Sequence, residues 1–154
     1  CDPAQVDTIV IAGMGGDTIC SILDAAEWCM DPSYTLLLQP MTKPEILRYW
    51  LCWNGFSITD YLVPDGRFYY QIIKAVYTGK NMPVSEAELY TGRLECIREY
   101  PFAEEFVEKE RKRSEKEYSG LSRSAEADPA RLAICRTVLT QLNEMKEKIH
   151  DHQS

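Results

Sequence analysis

The run Asp7–Ala12 (DTIVIA) is apolar and β-branched, breaks into Gly13-Met14-Gly15-Gly16, and resumes with Ile19, Ile22, Leu23 and Ala26 at helical spacing. Such a run predicts a parallel strand buried on both faces, and Asp17 predicts the N-cap of the helix that follows. Three glycines in four residues carry a large backbone entropy cost, which a packed core does not need. Either the turn packs very tightly, or another molecule approaches the main chain. Both readings stand on these residues alone. The order strand–glycines–helix commits this part of the chain to an α/β arrangement. It also puts the glycines at the carboxyl end of a strand, where open α/β sheets bind their ligands.

The pattern continues in the same style. Tyr34–Met41 (YTLLLQPM) reads as a second buried strand, and Thr42-Lys43-Pro44-Glu45 as a capping box opening a helix with Ile46, Leu47, Trp50 and Leu51 as its stripe. Asn54-Gly55 ends that helix. Phe56–Val63 and Arg67–Thr78, separated by Pro64-Asp65-Gly66, predict a hairpin. The expected order is β-α-β-α-β-β, with the last strand antiparallel to its predecessor. Beyond about Lys80 the signals become helical. Ser85-Glu86-Ala87-Glu88 is a second capping box, with Tyr90, Leu94 and Ile97 after it, and Phe102–Tyr118 is a charged helix. Asp128 caps a last helix with Pro129 at its first position. Cys135, Val138, Leu142, Met145 and Ile149 recur there at spacings of 3, 4, 3 and 4, an apolar seam for a helical hairpin. Two regions follow: 1–80, α/β, and 81–154, helical.

Composition narrows the function classes. A net charge of −7 argues against a surface dedicated to nucleic acid. Six cysteines form no C-x-x-C pair and the only histidines are His150 and His152, so no metal site is expected. The scattered cysteines read as thiols of a reducing cytoplasm. No leader and no run of about 18 apolar residues is present, so neither secretion nor a membrane span is expected. The sequence starts at Cys1 rather than Met, only a few residues before a strong strand, and reads as a fragment lacking its upstream part.

Other motifs carry less. G-x-G-x-x-G fails after Gly16 and no G-K-[ST] follows, so neither a dinucleotide fingerprint nor a phosphate loop is present. Gln39-Pro40-Met41 leaves the second strand at the same sheet edge as the glycines, and Gln39 offers both a donor and an acceptor there. Phe68, Tyr69 and Tyr70 have the chemistry to stack on a base, but read better as core. The charged helix holds five basic residues, from Lys109 to Lys116, against six acidic ones, and reads as a solvated face.

Together, "DTIVIAGMGGDTI", "LLLQPM", "LRYWL", "NGFSI" and "DGRFYYQII" resemble the bacterial tRNA (adenine(22)-N(1))-methyltransferase family, over roughly residues 6–77. The resemblance implies an S-adenosylmethionine-dependent, cytoplasmic enzyme acting on tRNA. It further implies that residues 1–80 are the C-terminal half of a Rossmann-like methyltransferase sheet, strands four to seven, and that 81–154 are an appended coiled-coil-like helical domain. Ala12 to Gly16 would line the gap between methyl donor and base. Ala12, Gly13 and Met14 fall to the cofactor, and Gly13, Gly15, Gly16, Gln39, Pro40 and Met41 to the substrate; no catalytic residue is assigned. The family's first glycine-rich turn and its ribose-holding acid precede the residues matched. Adenine N1 has a free lone pair once unpaired, so such chemistry needs positioning rather than a strong base. An exposed Val6–Ala12 edge would favour self-association. Two other readings are a non-catalytic helical interaction module on a truncated α/β domain and a nucleotide-dependent oxidoreductase. The second is weakened by the antiparallel hairpin and the failed fingerprint.

Overall fold

The computed structural model describes residues 6–124, 126 and 128–154. It divides into two compact units between Val84 and Ser85. The first contains strand β1 (Thr8–Gly15), helix α1 (Gly16–Asp24), β2 (Thr35–Thr42), α2 (Pro44–Trp53), β3 (Phe56–Asp65) and β4 (Phe68–Tyr77). The four strands form one sheet in the order β1-β2-β4-β3. β1 and β2 are parallel, and β4 runs antiparallel to both of its neighbours, inserted between β2 and β3. β3 therefore shares the direction of β1 and β2.

Period-two alternation decides which face is covered. Leu36, Leu38, Ile58, Ile73 and Ala75 point to one face and join Ile19, Leu23, Leu47 and Leu51 of α1 and α2 in a single cluster. Burying each of the larger side chains contributes about 2 kcal/mol. The other face is open: Val10 is 67% exposed and alternate residues of β3, such as Tyr61 and Val63, are exposed. β1 is thus not buried on both faces as its composition predicts. Among the described residues it is an edge strand with helices on one side only, and its apolar content does not reveal which side is covered.

Several local signals resolve differently from the sequence reading. β1 continues through the glycines to Gly15, and α1 begins directly at Gly16. Gly15, not Asp17, is the N-cap, and Asp17 instead sits in the first turn. The capping box at Thr42 does not form. Lys43 takes the N-cap position in the left-handed conformation (φ 53°) with no side-chain cap, while Pro44 occupies the first turn as expected. Ile46, placed on the apolar stripe of α2, is 41% exposed, whereas Arg48 is fully buried. The hairpin turn is Gly66-Arg67, with Gly66 at φ 58°, so Pro64 and Asp65 belong to β3 and pair with Tyr69 and Phe68. Phe68 is 67% exposed and is not core. It pairs at the tip of the hairpin, beyond the reach of the helices.

The second unit is helical: α3 (Glu86–Thr91), α4 (Leu94–Ile97), α5 (Ala103–Ser122) and α6 (Pro129–Gln153). The Ser85 capping box is present, with the Ser85 hydroxyl accepting from Glu88 N–H and Glu88 Oε2 accepting from Ser85 N–H. Gly92, at φ 88°, separates α3 from α4, so Tyr90 lies on one helix and Leu94 and Ile97 on the next. Asp128 caps α6 by accepting from Ala130 N–H. The buried residues of α6 are Cys135, Val138, Leu142, Met145 and Ile149, the seam read from spacing. α5 is less uniformly solvated than its charge suggests, since Phe106, Val107, Glu110 and Ser114 are buried. It also extends past Tyr118 to Ser122.

Candidate functional site

The carboxyl ends of β1 and β2 lie side by side because the two strands are parallel. Register runs regularly from Thr8↔Thr35 to Ala12↔Gln39, then slips: Met14 faces Pro40 and Gly15 faces Thr42. Gly13, with φ 77°, is the extra residue of the first shift, and Met41 on β2 is the extra residue of the second. The Gly13 N–H donates to the Gln39 side-chain Oε1 at 3.0 Å. A left-handed conformation at this point strongly favours glycine.

The three glycines do different things. A Cβ on Gly13 would meet nothing within 4 Å. On Gly15 it would come within 2.7 Å of Asp17 Oδ1 and 3.1 Å of Thr42 Oγ1, both side-chain ends able to move. On Gly16 it would lie 2.2 Å from the Lys43 carbonyl oxygen, which is main chain. Gly16 thus has a packing role that accounts for its identity, with α1 starting hard against the turn into α2. Gly13 has no such role and leaves open space beside the main chain.

A second tie crosses the same edge. Lys43 Nζ donates to Asp17 Oδ2 at 2.5 Å, with both side chains about half exposed. The Lys43 ammonium lowers the Asp17 carboxyl below its usual range, and Asp17 raises Lys43. Neither the Lys43 conformation nor this pair was read from sequence. A lysine carries no signal for a left-handed φ, and the two residues are 26 positions apart.

The sequence-derived site residues therefore fall into two groups. Ala12, Gly13 and Met14 are exposed, and Met41 is 55% exposed. Gln39 is half-buried and bridges the two strands, its Nε2 lying 3.2 Å from Met41 Sδ. Pro40 and Gly16 are buried and shape the edge from within. No group of three or more His, Cys, Asp or Glu able to hold a metal occurs among the described residues. No described helix is long and apolar enough to cross a membrane. The edge offers open main chain, the Gln39 carboxamide and the half-exposed Asp17–Lys43 pair.

A mixed sheet with a parallel β1–β2 pair, crossover helices and an open glycine bulge at the carboxyl edge of that pair defines a Rossmann-like α/β protein. The profile of the tRNA (adenine(22)-N(1))-methyltransferase family, TrmK, matches residues 2–152, and the chain belongs to that family. Solved structures agree. A protein of the NADB-Rossmann superfamily from Streptococcus agalactiae is 25% identical with a TM-score of 0.70, over 92% of this chain and 60% of its own. Streptococcus pneumoniae Sp1610, a candidate tRNA (m1A22) methyltransferase solved with S-adenosyl-L-methionine, is 26% identical with a TM-score of 0.66, over 94% of this chain and 62% of its own. The B. subtilis m1A22 tRNA methyltransferase TrmK shares the fold, at 19% identity and a TM-score of 0.68, over 97% of this chain and 65% of its own. The chain thus spans less than two thirds of the length of these structures. No curated protein matches it.

Proposed function

We propose that this chain carries the base-facing part of an enzyme that transfers a methyl group from S-adenosylmethionine to N1 of adenine 22 in tRNA. The observation that carries the reading is the Gly13 bulge, open to solvent at the carboxyl ends of two parallel strands in a chain of this family. Residues 1–80 would be a partial methyltransferase domain and 81–154 a C-terminal helical domain of coiled-coil type. We place the enzyme in the bacterial cytoplasm, with tRNA as its partner. The β1 edge, unpaired on one side among the described residues, supports self-association of the isolated chain.

The residues present fit a methyl donor lying along β1. Ala12 and Gly13 are exposed and carry little or no side chain, so main-chain polar groups are accessible there. Ala12, Gly13 and Met14 would hold it, and when bound it supplies a methyl group on a positively charged sulfur. Gly13, Gly15, Gly16, Gln39, Pro40 and Met41 would shape the place of the base. Main-chain carbonyls near Gly13–Gly15 would accept a hydrogen bond from the exocyclic amine of adenine. N1 lies on the pairing edge, so the base must leave its stack to reach them. The neutral N1 lone pair attacks without a general base, and the site contributes alignment and fixed dipoles.

The relatives' additional length would supply further donor contacts, so the chain alone is expected to be inactive, and the assay uses it joined to that length. With S-adenosylmethionine and an unmodified tRNA transcript, 1-methyladenosine should form at position 22, and a transcript with guanine there should not be methylated. Equal methylation of both transcripts, or of neither, would refute the reading.

A further inference from the structure

Gln39 is the one side chain that closes the gap in the β1–β2 ladder. The register slips at Gly13, and the Gly13 N–H donates to the Gln39 carboxamide oxygen at 3.0 Å. The same carboxamide is oriented at its other end, with Nε2 at 3.2 Å from Met41 Sδ, a weak acceptor. The bulge itself is otherwise lightly held: Gly13 is exposed and the space where a Cβ would stand is empty. A glycine at φ 77° without packing around it has many alternative conformations available, so whatever bonds its amide decides where its carbonyl points.

We propose that Gln39 is a positioning residue. It acts on methyl transfer through Gly13, by holding the bulge in the one conformation that presents its main chain to the base, rather than by reading the base itself. This rests on the methyltransferase reading above and assigns the work at that edge. The oxygen of Gln39 is committed to Gly13, and the neighbouring main chain meets the substrate.

Two substitutions separate the roles. Gln39→Leu removes the acceptor and the donor, whereas Gln39→Glu keeps an oxygen for Gly13 and loses the donor nitrogen. Amide exchange of Gly13 is followed by NMR, and the kcat and KM for tRNA are measured, all in the length-completed enzyme. In Gln39→Leu, Gly13 exchange should accelerate about tenfold, as loss of one hydrogen bond implies, while the melting temperature falls by no more than about 6 °C. Its kcat should fall by about tenfold or more. Gln39→Glu should keep Gly13 protected and restore most of kcat, any repulsion between its charge and the RNA appearing in KM. Unchanged Gly13 exchange in Gln39→Leu would overturn the proposal. So would a Gln39→Glu enzyme with Gly13 protected but kcat no better than Gln39→Leu, since Gln39 would then contact the base directly. If the unsubstituted enzyme methylates no tRNA, the methyltransferase reading fails by itself, and the exchange comparison still decides the latch.

Discussion

Arg48 on α2 donates from Nε to Asp60 Oδ1 on β3 at 2.9 Å, and neither side chain has more than 1% of its surface exposed. Arg48 Nη2 also donates to Gln71 Oε1 on β4 at 2.7 Å. One guanidinium therefore ties the helix to both strands of the hairpin in the middle of an apolar layer. Breaking such a pair leaves an uncompensated buried charge, which costs about 3–5 kcal/mol, whereas replacing the whole pair by apolar groups is often near neutral. Arg48→Met should lower stability by that amount in denaturant unfolding, and Arg48→Met with Asp60→Leu should recover most of it. A loss below about 1 kcal/mol for the single variant would show that the pair does not anchor the hairpin.

The glycines of the candidate site should separate under mutation. Gly16→Ala drives a Cβ into the Lys43 carbonyl at 2.2 Å and should cost about 2 kcal/mol or more, with activity lost alongside the fold. Gly13→Asn places a side chain in open space, at a φ that asparagine tolerates for less than about 1 kcal/mol. It should melt near the parent and lose methyl transfer. Thermal melts beside 1-methyladenosine formation check both. Normal methylation by Gly13→Asn would remove the bulge from the site.

In the helical unit, Glu108 of α5 accepts from Arg111 Nε at 2.9 Å and Nη2 at 3.0 Å, and from Lys146 Nζ of α6 at 3.0 Å. The Arg111 and Lys146 bonds pull its carboxyl from 4.5 down to about 2. A depressed folded value means that the stabilisation is fully present above about pH 4.5 and is lost as pH falls towards 2. Glu108→Gln should therefore melt below the parent at pH 7, and the difference should close by about pH 2.5. An equal difference at both pH values would show that the charge of Glu108 does not link α5 to α6.

Much of this architecture was legible because it depends on local chemistry. The Ser85 box, the Asp128–Pro129 start, the Asn54-Gly55 stop and the α6 seam each need only residues within a few positions of one another, and each appears in the structure. The site was legible in part. Glycines after a β-branched strand and a Gln-Pro at the next strand's exit marked the right edge, but not which glycine is open and which is packed. That difference depends on Lys43, more than 20 residues further along, whose carbonyl crowds Gly16 and not Gly13.

Sequence alone determined the order of elements, the helix boundaries set by good caps, and the pairing of a hairpin around Gly66. Tertiary structure decided the rest. Only the sheet order, with β4 between β2 and β3, shows that among the described residues β1 pairs on one side and has one open face. Arg48 reads as a surface residue in any amphipathic count, because burial of a charge becomes tolerable only when Asp60 and Gln71 arrive from other strands. Lys43, rather than a Thr42 box, takes the N-cap of α2, in a turn whose carbonyl lies against Gly16 of α1. Local patterns record what a residue prefers, but the partner that overrides the preference is distant in sequence and meets it only in the fold.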